Sequence, residues 1–526
     1  MSICNEILQS NIIPSEWLQI KCVPILKPDI KSVHQYLGIW IDQKLNFKTH
    51  ITETVNKTKR KINILKMLSR KKGGCHPETL QKVNNSIVRS ILDYGISIYA
   101  SACKTDFNRL EKIQNLSIRT SFRLLQSTPI HVIYAEAAEL PLKYRAQYLT
   151  FKESIKTLYF NNSPIAAKLS EIVNTDLIPK FTSYIEKISS LNNFHILQCH
   201  ISYNNIIQLN DLNNLFIYPN IQNLNKNKTP LSMQKYLTQQ LIRNNYFTYF
   251  KLFTDGSKSN LGVGYGFYDE TNQTSFSFKL NPAFSIMNAE IVAIIEAIEY
   301  AISIHQSKIV IFTDSQSSCM SLLNANPDNY LITKLLTIIK YNPSQEIAIQ
   351  WVPGHINLLG NDRADTAAKL GINRSNQENY PLTLGDCLLN FKVELITEWN
   401  REYQILSTEK GIQHFEIMNK IELKPWFHNI QLSTTETIII NRIRTFHTAT
   451  KDRLAKWNLI RTDICTTCNT QENLHHILYD CVGLMAIRRR FPILINKIEL
   501  NTILKNKKKD EYLQLTNFIN EAKINV

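Results

Sequence analysis

Four carboxylates stand where they could share a cation. Asp255 follows an apolar run in Lys251-Leu252-Phe253-Thr254-Asp255-Gly256-Ser257, as at a strand that ends in a tight turn. Glu290 is expected in the first turn of a helix whose apolar positions, Ile291, Ile294, Ile295, Ile298 and Ile302, share one face. Asp314 closes a second apolar strand, Ile309-Val310-Ile311-Phe312-Thr313. A third strand, Ile347 to Val352, leads into Pro353-Gly354-His355, and Asp365 lies in Gly360-Asn361-Asp362-Arg363-Ala364-Asp365 at the start of another helix. Carboxylates gathered at strand ends repel one another and need a cation between them. Hard oxygen ligands suit Mg²⁺, with Mn²⁺ as a substitute. Two such ions about 4 Å apart hold an attacking water and a leaving 3′-oxygen in line. Taken singly, each acid reads as a turn residue or a helix-end charge; the four together, in this order, read as a site.

A second constellation is Cys465-x₂-Cys468-x₇-His476-x₄-Cys481. Thiolates two residues apart form a knuckle, and a later His and Cys complete a tetrahedral set for Zn²⁺. His475 is an alternative third ligand. The other cysteine–histidine pairs, Cys75-His76 and Cys199-His200, read as structural. Lys57 to Lys72 carries eight basic residues, among them Lys59, Arg60 and Lys61, interleaved with Ile62, Ile64, Leu65 and Leu68. That is an amphipathic helix able to lie along a phosphate backbone, or a solvated helix face.

The elements that must position these groups divide the 526 residues unevenly. Residues 31–160 are mainly helical after one short strand, with Tyr36 and Trp40 expected in the core. Residues 161–248 lose periodicity and fill with Asn, as a linker would. Residues 249–372 alternate strand-like and helix-like segments, which predicts an α/β domain with a mixed sheet flanked by helices. Residues 373–460 form a helical connection, and 461–526 hold the cysteine motif and a basic tail. With Lys plus Arg at 60 against 44 Asp plus Glu, the net charge of +16 suits a polyanionic partner. A hydrophobic fraction of 44% excludes wholesale disorder. No apolar run reaches the ~18 residues of a membrane span. The start, Met1-Ser2-Ile3-Cys4-Asn5-Glu6, lacks a secretory pattern, and the ten cysteines are otherwise scattered. An intracellular, non-secreted protein with no membrane partner and no obligate protein partner is expected.

Thr254-Asp255-Gly256-Ser257, Asn288-Ala289-Glu290, Thr313-Asp314-Ser315-Gln316 and Trp351-Val352-Pro353-Gly354-His355 with Gly360 to Asp365 resemble the type 1 ribonuclease H domain of non-LTR, Jockey-like retrotransposon polyproteins. The resemblance implies an α/β ribonuclease H-like fold and Mg²⁺-dependent hydrolysis of RNA paired to DNA. It implies that Asp255 bridges both ions, with Glu290 and Asp314 at the second and Asp365 at the first. His355 matches a mobile histidine that assists proton handling or product release. Gly256, Ser257, Asn288 and Gln316 match positions that contact the nucleic acid. Asp362 stands where many relatives carry Glu, and Met287 replaces a commoner polar residue. The segment Leu322 to Ser344 lacks a basic, Trp-rich handle, which implies that flanking regions help to hold the hybrid.

Those flanks carry resemblances of their own. Tyr36-Leu37-Gly38-Ile39-Trp40-Ile41-Asp42 and the helices after it resemble the reverse-transcriptase region beyond the palm, with its thumb. Residues 1–30 resemble a remnant of that enzyme's start. No Asp-Asp pair occurs, so no polymerase activity is expected. The cysteine run resembles the CCHC-like zinc motif that follows ribonuclease H in these elements. The implied function is endoribonucleolytic cleavage of RNA–DNA hybrids; the alternatives are a catalytically inactive nucleic-acid-binding remnant and a Mg²⁺ nuclease acting on another duplex.

Overall fold

The computed structural model describes residues 33–70, 73–159, 209–226, 228–326 and 328–524. The expected remnant at 1–30, Lys71, Lys72, Cys199-His200 and residues 161–208 of the expected linker lie outside them.

Two short strands, β1 (Val33–Tyr36) and β2 (Ile39–Asp42), pair antiparallel and lead into helix α1 (Lys48–Leu68). This is a hairpin where one strand was expected. Tyr36 is exposed rather than in the core, and Trp40 is half-buried. Helix α1 buries Ile51, Val55, Ile62 and Leu65 at helical spacing. They meet Leu80, Val88, Leu92, Leu110 and Ile113 in a core of their own. Helix α2 (Lys104–Phe122) belongs to that core at its first half and to the larger one at Ile118 and Phe122. Helices α3 (Ile130–Ala137) and α4 (Leu142–Tyr159) follow.

The central sheet has six strands in the order β3-β8-β7-β4-β5-β6: β3 (Leu215–Tyr218), β4 (Phe250–Ser259), β5 (Gly262–Asp269), β6 (Thr274–Leu280), β7 (Lys308–Thr313) and β8 (Glu346–Trp351). The pairs β3–β8, β8–β7 and β7–β4 are parallel, whereas β4–β5 and β5–β6 are antiparallel. Strand β3 falls inside the expected linker, as does helix α5 (Leu231–Asn245). Leu-Phe-Ile-Tyr is a strand sequence in an Asn-rich setting, and its pairing with β8 supplies what local composition did not.

Alternation along β7 and β8 sorts the two faces. Ile309, Ile311, Ile347 and Ile349 join a large core with helix α6 (Ile286–Ser303), whose Ile291, Ile294, Ile295 and Ile298 are fully buried. Val310, Phe312 and Ala348 face the other way, towards Tyr246, Ile356 and Ala364. Helices α7 (Gln316–Leu323) and α8 (Tyr330–Tyr341) connect β7 to β8, and α9 (Leu359–Ile372) crosses β5 and β4. The mixed sheet flanked by helices is the expected fold class.

Beyond it, helix α10 (Leu384–Glu409) runs back along α4, where Phe151 and Phe391 stack with centroids 4.0 Å apart. Helices α11 (Ile412–Ile417), α12 (Thr434–Arg444) and α13 (Lys509–Glu521) belong to the same helical part, with shorter helices between the last two. Among the described residues, no helix is long and apolar enough to cross a membrane.

Candidate metal centres

Three of the four acids converge. Ligand oxygens of Asp255, Glu290 and Asp314 all lie within 4.8 Å of one another. Asp255 sits in mid-strand rather than at a turn: β4 runs on to Ser259, because Gly256 and Ser257 pair with Tyr265 and Gly264 of β5. Glu290 is one turn further into its helix than expected, because Ser285 caps α6 and accepts from the Asn288 N–H. Gly256 permits their meeting, since a Cβ there would lie 2.8 Å from the Glu290 nitrogen. Asp314 follows the end of β7, and its backbone carbonyl accepts from the Trp351 indole at 3.1 Å. Gly354 plays a similar part, for a Cβ there would fall 2.5 Å from Asp314 Oδ2.

No basic side chain is among the three. Burial, then the charges of Asp255 and Asp314, pushes the Glu290 carboxyl well above its usual range. Burial and the Asp314 charge push Asp255 up as well. Buried Glu290 Oε2 has no hydrogen-bond partner. A buried carboxylate oxygen without a donor, facing two further carboxylates, fits a hard divalent cation and fits little else. The fourth acid adjoins this group through Asp255 alone. Asp365 acts on Asp255 through charge and a side-chain hydrogen bond, and its Oδ2 also accepts from Lys369 Nζ at 2.6 Å.

The remaining expected residues fare unequally. His355 is exposed, on the loop between β8 and α9, with a left-handed backbone at φ 60°. Ser257 is half-buried on β4. The Gln316 side-chain amide donates to the Pro219 carbonyl at 3.0 Å, so in this conformation it is engaged within the chain. Asn288 is engaged in the same way. It is buried, its Nδ2 donates to Thr383 Oγ1 and Asp386 Oδ2 at 2.9 Å each, and its Oδ1 accepts from Asn329 Nδ2. In this conformation its side-chain polar atoms are engaged inside the chain. On α1, Lys59 and Arg60 are exposed and Lys61 is half-buried. Thr383 and Asp386 were not singled out in the sequence. Thr-x-x-Asp signals a helix start, but nothing local signals a partner nearly a hundred residues earlier.

The cysteine motif also closes. Cys465, Cys468, His476 and Cys481 place ligand atoms within 4.8 Å of one another. Cys481 Sγ is 3.9 Å from Cys465 Sγ and 3.8 Å from Cys468 Sγ. Burial opposes ionisation of Cys465, yet backbone N–H groups of Cys468 and Thr467, with His476 and Cys481, pull its thiol down to about 6. Burial and the two neighbouring thiols push Cys481 up to about 11. His476 Nε2 is buried without a hydrogen-bond partner, whereas His475 is exposed and pairs with Asp480. Three sulfurs and an unpartnered ring nitrogen fit a tetrahedral Zn²⁺. Glu472 is committed to Lys451.

Residues 248–373 match the ribonuclease H family, RNase H. The chain is similar to the probable RNA-directed DNA polymerase from transposon BS of Drosophila melanogaster, 31% identical over 91 residues, which is 17% of this chain and 10% of that protein. The chain thus spans about a tenth of the length of that curated relative. Among solved structures, RNase H1 from the halophilic archaeon Halobacterium salinarum NRC-1 is 19% identical, covering 24% of this chain and 97% of that one, with a TM-score of 0.20.

Proposed function

We propose, from the premise that residues 248–373 are a ribonuclease H domain, that this chain hydrolyses the RNA strand of RNA–DNA hybrids. The observation that carries the reading is the trio Asp255, Glu290 and Asp314, gathered within 4.8 Å with an unpartnered buried oxygen on Glu290. Asp255, Glu290 and Asp314, joined by Asp365, would hold Mg²⁺. Bound there, divalent ions neutralise the cluster, lower the pKa of a bound water and stabilise charge on the leaving oxygen. The protein's own part is to keep the carboxylates converged. It does so by the close approach of α6 to Gly256 and of the 352–358 loop to Asp314. His355, exposed on that loop, would carry a proton on a ring nitrogen to the leaving 3′-oxygen. Lys59 and Arg60, exposed on α1, would add phosphate contacts to a chain of net charge +16.

The test is cleavage of a labelled RNA strand in a hybrid with Mg²⁺, comparing wild type with Asp314→Asn. Cutting by the wild type that falls on the order of 10³-fold or more in the variant is the expected result. No cutting by a folded wild type would leave the chain a nucleic-acid-binding remnant.

At the second centre the role is structural. Cys465, Cys468, His476 and Cys481 would hold Zn²⁺ and brace the turn that Arg488 ties together through its bonds to the Ile477, Leu478 and Cys481 carbonyls. Wild type should retain about one zinc per chain after desalting, as a four-ligand structural site does. Cys481→Ser should lose it and become protease-sensitive within 461–526. Metal analysis with limited proteolysis checks this, and zinc-free wild type of equal resistance would refute it.

A further inference from the structure

We propose that Asp386, outside the ribonuclease H domain, is a positioning residue for the carboxylate cluster, an inference that rests on the nuclease reading above. Its carboxylate is fully buried at the start of α10. As a helix cap it needs only Thr383, whose hydroxyl donates to Asp386 Oδ2 at 2.9 Å and accepts from the Asp386 N–H at 3.1 Å. Two further bonds have nothing to do with α10. The Ser285 N–H donates to Asp386 Oδ1 at 2.9 Å, and Asn288 Nδ2 donates to Asp386 Oδ2 at 2.9 Å. Ser285 is the cap of α6, and Asn288 precedes Glu290 by two residues. One carboxylate therefore grips both the cap and the first turn of the helix that delivers Glu290.

The grip matters because α6 has no slack on its other side. Gly256 already brings β4 against the Glu290 nitrogen. Lys258 Nζ donates to the Phe284 carbonyl at 2.5 Å, tying the approach to the cap onto the same strand. The first turn of α6 is thus held between β4 and Asp386, and releasing Asp386 frees it to move away from Asp255 and Asp314. Three carboxylates that repel one another will take that freedom when no cation holds them. Loss of Asp386 should weaken cation binding first and turnover second, while leaving hybrid binding alone.

The experiment uses the full chain and reads Mn²⁺ binding by electron paramagnetic resonance without nucleic acid, beside hybrid cleavage. Asp386→Ala should raise the half-saturating Mn²⁺ concentration about tenfold and lower kcat, with KM for the hybrid unchanged. Asp386→Asn, which keeps an acceptor oxygen, should fall between. Phe391→Leu, further along the same helix against Phe151, should lower the Tm and leave Mn²⁺ binding as in the wild type. Mn²⁺ binding within twofold of wild type in either folded Asp386 variant overturns the inference, as does an equal shift in Phe391→Leu. If Asp386→Ala does not fold, Asp386→Asn decides. A wild type that binds Mn²⁺ but cuts no hybrid overturns the nuclease reading alone, and the binding comparison still judges Asp386. A wild type that binds no Mn²⁺ overturns both.

Discussion

Replacing Asp255 by Asn should abolish hydrolysis and at the same time raise the unfolding temperature of the metal-free protein. The two effects have one cause. With no cation present, Asp255, Glu290 and Asp314 form a cluster of carboxyl groups without a basic side chain among them, and burial together with that repulsion raises the carboxyls of Asp255 and Glu290. At an effective dielectric constant near 20, two unit charges no more than 4.8 Å apart repel by about 3 kcal/mol or more. Part of this is relieved by proton uptake, so a net gain of about 1 kcal/mol is expected, or about 2–4 °C in Tm for a domain of 150–250 residues. The neutral amide keeps the shape of Asp255 but offers one weak oxygen where two charged ones stood. Mg²⁺ should therefore raise the wild-type Tm and leave that of Asp255→Asn almost unchanged. Thermal scans in EDTA and in Mg²⁺, beside the cleavage assay, check all of this. A variant that is less stable than wild type in EDTA, or one that Mg²⁺ stabilises equally, would mean the acids are held by something other than a shared cation.

Some of this was legible from residue order, and the reasons are physical. Asp314 follows β7 as expected, because a run of β-branched and aromatic residues closed by an acid carries its own boundary. The convergence of Cys465, Cys468, His476 and Cys481 was legible because a knuckle is local: all lie within 17 residues of chain. Asp255 was misplaced at a turn, since Gly256 and Ser257 are turn residues locally and strand residues only beside β5. Glu290 was set a turn early because the helix start depends on Ser285, a cap with no acidic partner three residues on. Asn288, read as a contact for nucleic acid, is claimed by Asp386 and Thr383 from 95 or more residues away. Pairings at that range have no sequence period to betray them. The same holds for β3, whose partner Ile347–Gln350 lies more than 130 residues downstream.

A long-range pairing also underlies the other large effect: Glu136→Ala should cost about 3–5 kcal/mol of stability. Glu136 on α3 and Arg444 on α12 are both fully buried. Arg444 Nε donates to both carboxylate oxygens at 3.0 Å, and Nη2 donates to Oε1 at 2.8 Å. His414 Nε2 on α11 lies 2.9 Å from the same Oε1. Burial works against ionisation of Glu136, but the charge of Arg444 and the bond to His414 overcome it and hold the carboxyl at about 2. Truncation to Ala leaves a guanidinium in the interior facing a void, with the Leu504 carbonyl, the Tyr512 hydroxyl and the face of Trp426 left to it. That is the expensive way to break a buried pair. Removing both charges, as Glu136→Leu with Arg444→Met, should recover much of the loss. The pH dependence follows with a definite sign. Because the folded-state pKa lies below the usual 4.5, the pair's stabilisation is fully present above about pH 4.5. It is lost as pH falls towards 2. Glu136→Gln should therefore flatten that acid limb while lowering stability at pH 7. Urea unfolding of the four proteins between pH 2 and 7 measures both effects. A double variant no better than Glu136→Ala would show that the three helices are held chiefly by the shape of these side chains and not by their charge.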